Sequence, residues 1–266
     1  MSAAANFAVL RQARRIWAVP AIHGEAGRLA ALLELLVPRI ERGDRVVFLG
    51  NYLGYGREIP ATLDDLLAFR RWLIAQPRMF ASDLAFLRGS QEEMWQKLLQ
   101  LQFAVDPRGV LDWMLGHGVG ATLAAYGIDP RQGLAAARHG AIQLARWTGQ
   151  VRTALIARPG HRELLSALRR AAYDDSGRLL FVHAGVDPSR PLASQGDTLW
   201  WGAPGFGGWP QPYGDYDRVV RGYDPGHGGF AESPFAVTAD SGCGFGGKLT
   251  ALAFGTDGEI LDRIEV

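Results

Sequence analysis

An α/β fold is predicted by three features of the sequence. Four stretches, residues 16–24, 44–56, 84–92 and 179–185, each run from a short apolar segment into glycine and polar residues. Leucine-rich segments of helical spacing separate the first three, giving the strand–helix–strand–helix–strand order of a parallel sheet. Further strand-like runs gather at the carboxyl-terminal end, at residues 235–238, 249–254 and 259–264, and suggest a second sheet packed on the first.

The chain is organised around residues 44–56. Val46, Val47, Phe48 and Leu49 make an apolar run suited to a strand buried on both faces. Gly50, Asn51, Gly54 and Gly56 follow, in a loop where backbone must pass close to something. In open α/β sheets the working site lies just beyond the carboxyl ends of such strands. A fifth, weaker copy occupies residues 218–225. Several strands delivering polar residues to one rim describe an active-site cleft.

Taken in order, residues 1–14 read as a flexible lead-in and residues 15–266 as a single domain. Leucines at 29, 32, 33, 35 and 36 mark an amphipathic helix over 27–40, closed by Pro38 and Gly43. Thr62 is placed to cap the next helix, whose apolar face is Leu63, Leu66, Leu67, Phe69, Leu73 and Ile74. A helical section runs from about 91 to 173, broken at Asp106-Pro107, at residues 116–118 and 127–130, and at Pro159-Gly160. Residues 188–229, rich in Gly, Pro and Trp, read as a long surface loop. No internal repeat and no low-complexity segment is found.

Composition narrows the function classes. With 266 residues and 48% hydrophobic content the chain buries a full core. A net charge of +1 demands neither a nucleic-acid nor a membrane partner. Lys97 and Lys248 are the two lysines, so 26 of the 28 basic residues are arginine, which we read as a GC-rich, bacterial coding sequence. A single cysteine, Cys243, excludes an internal disulfide and a thiolate metal cluster, and fits a reducing compartment. Arg11, Arg14 and Arg15 are followed by no apolar segment of signal-peptide type, and no window reaches membrane-span length. The expectation is a cytoplasmic protein.

Together the strand-end motifs resemble the calcineurin-like metallophosphoesterases, in the bacterial form of their serine/threonine phosphatase branch. That family carries Gly-Asp-x-His-Gly, Gly-Asp-x-Val-Asp-Arg-Gly, Arg-Gly-Asn-His-Glu, Val-His-Ala-Gly and Val-x-Gly-His-Thr-Pro at successive strand ends. The matching segments are Pro-Ala-Ile-His-Gly (20–24), Gly-Asn-Tyr-Leu-Gly-Tyr-Gly (50–56), Arg-Gly-Ser-Gln-Glu (88–92), Val-His-Ala-Gly (182–185) and Val-Arg-Gly-Tyr-Asp-Pro (220–225). Supporting matches fall at residues 120–127, 197–201 and 240–250, so the resemblance spans about residues 15 to 264. It implies a four-layer α-β-β-α sandwich of two mixed sheets with a helical insertion at about 91–173.

The departures from the family fall on its functional positions. The six metal-ligand positions read Ala21, His23, Asn51, Ser90, His183 and Tyr223, so only the two histidines match. The leaving-group acid position is Gln91 and the Asp that orients it is Gly54, while the two phosphate-gripping arginines are Tyr55 and Gly202. Two divalent ions at close range repel, and anionic ligands make such a pair tolerable. Here the resemblance leaves two imidazoles and the neutral amide of Asn51. Without the metal there is no activated water, and without the arginines no grip on a transferring phosphoryl group.

For the single residues a plain reading stands beside a functional one. His23 reads as packed and hydrogen-bonded in the cleft floor, and His183 as a histidine retained for its strand-end turn. Ser90 through Glu93 reads as a capping box with Glu93 as the reciprocal partner. Glu25, Asp224 and His227 lie where a single relocated metal would need ligands. Tyr52, Tyr55 and Tyr223 form a candidate aromatic floor, and Trp200, Trp201, Phe206 and Trp209 either a contact patch or the cover of a core. The expectation is therefore a pseudophosphatase that binds a protein or peptide partner and needs no cofactor. The alternative is a phosphoesterase with an atypical site, using at most a single weakly held divalent metal (Mn, Zn or Fe).

Overall fold

The computed structural model describes residues 6–266. One sheet contains β2 (Arg15–Val19), β3 (Asp44–Phe48), β4 (Leu84–Phe86), β10 (Thr250–Gly255) and β11 (Ile260–Glu265), in the order β11-β10-β2-β3-β4. The other contains β1 (Phe7–Leu10), β5 (Ala171–Asp174), β6 (Leu179–Val182), β7 (Arg218–Arg221), β8 (Ala231–Glu232) and β9 (Ala236–Thr238), in the order β1-β5-β6-β7-β9-β8. Both are mixed. β2, β3 and β4 are mutually parallel, as are β6, β7 and β9, while β10 runs antiparallel to β2.

Alternation along the strands assigns each residue to a layer. Ile16, Ala18, Val47, Leu49, Leu252 and Phe254 meet Leu10, Phe181, Val220 and Val237 between the sheets. Trp17, Val19, Val46 and Phe48 point the other way, onto α1 (Ala26–Leu36) and α2 (Ile59–Ile74). Strands buried on both faces have no polar alternation, which is why 46–49 reads as a continuous apolar run. The insertion comprises α3 (Ser90–Leu98), α4 (Pro107–Met114), α5 (Gly120–Ala125), α6 (Pro130–Arg138), α7 (Ala141–Ile156) and α8 (His161–Ser166). Among the described residues, no helix is long and apolar enough to cross a membrane.

Several expectations need correction. The lead-in is not loose after residue 6: Phe7–Leu10 pairs in parallel with β5, and Leu10 is fully buried. Residues 1–5 of that expectation lie outside the described residues. The terminal strands do not form a sheet of their own, because β9 joins the second sheet while β10 and β11 extend the first. The helical section stops at Ser166, and Tyr173 belongs to β5. Helix α2 begins at Ile59 behind Glu58, and Thr62 bonds the Glu58 carbonyl inside it rather than capping it.

The outer face of the second sheet is covered by residues 186–216 with the single-turn helix α9 (Thr198–Trp201). Val186, Leu199 and Tyr213 pack there on Leu180, Val182 and Val219. Trp200 is buried, and Phe206 and Trp209 are half-buried against this layer.

Candidate functional site

The site forms where the loops after β2, β3, β4, β6 and β7 converge, and backbone hydrogen bonds stitch those loops together. Ala21 N–H donates to the Gly222 carbonyl at 2.9 Å, and Ile22 and His23 N–H both donate to the Asn51 carbonyl at 3.0 and 2.7 Å. Gly222 and Tyr223 N–H donate to the His183 carbonyl, each at 2.9 Å.

Beneath them lies a residue the sequence reading passed over. The Glu92 carboxylate accepts from Asn51 N–H and Gly89 N–H at 2.9 Å each, from Tyr52 N–H at 2.8 Å and from Leu53 N–H at 3.0 Å. The helix cap at α3 is thus Gly89 with Glu92, not Ser90 with Glu93; Glu93 pairs instead with Arg88 and Lys97. Burial raises the Glu92 carboxyl, and the four amide donors oppose that rise. All four donors need an acceptor, so the ionised form satisfies the cradle. Only its place three residues after Gly89 gave it away in sequence.

Asn51 stands in the left-handed region at φ 55°. Its Oδ1 accepts from Ser90 Oγ at 3.1 Å and from Gln91 N–H at 3.0 Å, so that oxygen is already engaged. Its Nδ2 lies 3.4 Å from His23 Nε2, which makes Nε2 the acceptor and leaves the proton on Nδ1. Nδ1 is buried and makes no hydrogen bond, so His23 is packed as expected but only half satisfied.

His183 takes the opposite tautomer: Nδ1 lies 2.7 Å from the Leu49 carbonyl and donates to it, leaving a buried Nε2 lone pair with no partner. Burial, reinforced by nearby His183, pushes His23 down to about 3, and burial pushes His183 down to about 4. Both rings are neutral at pH 7.

Aromatic rings close over this pair. Tyr223 stacks on His183 at 5.3 Å, and Tyr55, Tyr223 and Phe245 stand edge-on to His23 at 5.4, 5.6 and 5.1 Å. Phe245 also meets Tyr55 at 4.7 Å and His227 at 4.1 Å. Phe245 was not anticipated. The signal lay in Gly242, Gly244 and Gly246, all at positive φ, and a Cβ at Gly244 would fall 2.5 Å from the His23 Cβ. Only glycine lets the loop press that closely.

Gly54 leaves no room for the carboxylate its position carries in the resembling family: a Cβ there would lie 2.9 Å from both Gln91 Cδ and His23 Nδ1. Gln91 is turned aside by its Nε2 donating to the His117 carbonyl at 2.8 Å.

Of the predicted residues, His23, Asn51, Gly54, Tyr55, Ser90, Gln91, His183 and Tyr223 come together, with Ala21 alongside through its backbone. Tyr52 does not: it is fully buried, its hydroxyl donating toward the Phe48 and Leu87 carbonyls at 3.1 and 2.9 Å. Gly202 sits apart, beside the Ala184 carbonyl and Pro225, at a cavity of about 410 Å³ lined by Trp201, Phe206, Arg221 and Asp224. Trp201 leans on Trp113 of α4 at 5.6 Å, and the Arg221 guanidinium lies 4.3 Å over Phe206 while pairing with Asp224 at 3.0 Å. The loop aromatics are therefore mainly cover, with Trp201 and Phe206 also facing the cavity.

The donor set does not fit a pair of divalent ions. It holds no free carboxylate, the Asn51 oxygen is spent, and one of the two imidazoles has its lone pair engaged. A relocated site at Glu25, Asp224 and His227 fares no better. Asp224 already accepts from Gly226 and Gly228 N–H at 3.0 and 2.8 Å and pairs with Arg221. Among the described residues, no group of three or more His, Cys, Asp or Glu is arranged to hold a metal.

No protein-family model matches the sequence, and no curated protein matches it by sequence. Solved structures do match by shape. One, provisionally described as a diadenosine tetraphosphatase, is similar with a TM-score of 0.61 at 20% identity, over 98% of this chain and 97% of that one. A Saccharomyces cerevisiae protein serine/threonine phosphatase, described as similar to human phosphatase PP5, gives 0.54 at 14% identity over 98% and 82%. A cold-active protein tyrosine phosphatase gives 0.52 at 12% identity over 100% and 83%. At such identities the likeness bears on the fold alone, and it establishes that this chain shares the α/β sandwich of two mixed sheets seen in those structures.

Proposed function

We propose that the chain is a pseudophosphatase, a phosphatase-type fold that works by binding a protein or peptide and not by hydrolysing a phosphate ester. One observation carries the reading: where two cations and a phosphoryl group would have to sit, the cleft holds two neutral imidazoles packed under Tyr55, Tyr223 and Phe245. Stabilising two close divalent ions takes bridging anionic ligands, and none faces this space. The partner surface we assign runs from the exposed edges of Tyr55 and Phe245 to the cavity beside Gly202, where Trp201 and Phe206 offer apolar contact and Arg221 a polar one. Aromatic and arginine side chains of this kind dominate binding hot spots.

Protein purified with manganese should carry far less than two ions per chain by elemental analysis. Hydrolysis of p-nitrophenyl phosphate and of a phosphopeptide should match buffer with manganese, magnesium or zinc. Close to two ions per chain would overturn the reading.

A second reading, a phosphoesterase using one metal, is favoured by the unpartnered Nε2 lone pair of buried His183. Turnover that survives purification and disappears in His183→Ala would establish it.

A further inference from the structure

The amino ends of β2, β3 and β4 carry a second concave site, one strand length (about 17 Å) from the cleft. A cavity of about 550 Å³ there is lined by Arg14, Arg42, Arg45 and Arg78, with Gln12 and Phe80 in its wall. Apart from Arg45, which lies at the start of β3, these residues come from three separate turns, each leading into one of the parallel strands. The turns are tied: Arg14 N–H donates to the Gly43 carbonyl at 2.9 Å, and Arg45 Nε donates to the Arg11 carbonyl at 2.9 Å.

No carboxylate lines the cavity. Arg45 is neutralised by Asp83 at 3.2 Å, and Arg14 reaches the exposed Glu41 only at 4.0 Å. Arg42 and Arg78 are exposed and make no ion pair among the described residues. Both also border an adjoining cavity of about 390 Å³, so they stand on the ridge between two hollows. Phe80 is 65% exposed at the rim.

The backbone marks the same place. Five non-glycine residues among those described have positive φ: His23, Asn51 and His227 at the cleft, and Gln12 (51°) and Arg78 (63°) at this groove. Left-handed backbone is costly for a residue with a side chain and tends to persist at functional positions. Position 78 carries an arginine where glycine would fit without strain.

We propose that this groove binds the phosphate chain of a nucleoside polyphosphate, with the base stacked on Phe80. Guanidinium forks match phosphate oxygens two at a time, and an exposed aromatic face accepts any base. The cavity falls in the size range of small-ligand sites. A nucleic-acid strand is disfavoured because its binding draws on an extended positive field, whereas this chain's net charge is only +1.

Calorimetric titration of the full chain at low salt tests this, using ATP, tripolyphosphate, adenosine, a ten-residue oligothymidylate and hexaglutamate. ATP should bind, tripolyphosphate more weakly, and adenosine and hexaglutamate not measurably. The double variant Arg42→Ala, Arg78→Asn should weaken ATP about tenfold or more, asparagine being tolerated in left-handed backbone; its circular dichroism should be unchanged. Phe80→Ala should weaken ATP by about fivefold and leave tripolyphosphate unaffected. Equal ATP affinity in the arginine variant, or binding of the oligonucleotide or hexaglutamate in preference to ATP, would overturn the proposal. ATP binding lost in His183→Ala and retained in the arginine variant would place the nucleotide in the cleft, sinking this proposal while supporting the one-metal phosphoesterase reading.

Discussion

The two ends of the same three parallel strands have opposite chemistry. At the carboxyl ends of β2, β3 and β4 the polar groups are neutral imidazoles and amides under aromatic rings. At the amino ends, four arginines and an exposed phenylalanine face an open hollow. The strands serve both ends equally, as rigid posts from which loops hang. The fold thus fixes where loops converge, and the side chains decide what each convergence does. The buried Glu92 makes the contrast sharper: it is spent on holding the cleft loops by their backbone, not on a ligand.

The largest effect should come from removing that carboxylate. Glu92→Ala leaves the amides of Asn51, Tyr52, Leu53 and Gly89 without their acceptor. Each such loss costs about 1–3 kcal/mol, so urea denaturation should show at least about 3 kcal/mol lost. A drop below about 1 kcal/mol would mean water replaces the carboxylate, and the cleft loops are not built on it.

Acid should weaken the cleft end next. His23 and His183 have folded values of about 3 and about 4, below the ordinary 6.5. The unfolded chain therefore binds more protons through this window. Their contribution to stability is fully present above pH 6.5 and falls with pH toward those folded values, at up to about 1.4 kcal/mol per pH unit for each histidine. Denaturation midpoints measured from pH 7 to 4.5 should fall more steeply in the wild type than in His183→Gln. Identical slopes would show that the ring is not buried neutral.

A smaller loss should follow Gly244→Ala, which forces left-handed backbone on an alanine and drives its Cβ against His23. Overpacking of this sort costs about 1–3 kcal/mol. If the variant is as stable as wild type, the Phe245 loop is free to lift, and the closed cleft is only one of its states.

What the sequence showed well was local. Glycine and polar residues stopping an apolar run at 50–56 located a strand end, and the order of such stops gave the parallel sheet and the convergence of His23, Asn51 and His183. What it hid depended on distant partners. Phe7–Leu10 is a strand because β5, more than 160 residues later, accepts it. Glu92 after Gly89 and Glu93 after Ser90 both have capping-box spacing, and only the amides of the β3 loop select Glu92. Trp209 resembles part of an exposed patch until it is seen half-buried in the layer that covers the outer face of the second sheet. The arginine hollow is assembled from turns about 30 residues apart, so neither the net charge nor any short motif announces it.

The smallest expected effect has the opposite sign and bears on the amino-terminal end of the comparison. Arg78 holds φ 63° with its side chain exposed and without an ion pair among the described residues. Arg78→Gly removes the left-handed penalty while giving the unfolded chain more freedom, and these effects partly cancel. A net gain of about 0.5–1 kcal/mol is expected in denaturation, together with weaker ATP binding. Strain relieved at the expense of function is the pattern of a working site. A variant that is less stable than wild type would show that Arg78 is held in place by packing, and that its conformation says nothing about a ligand.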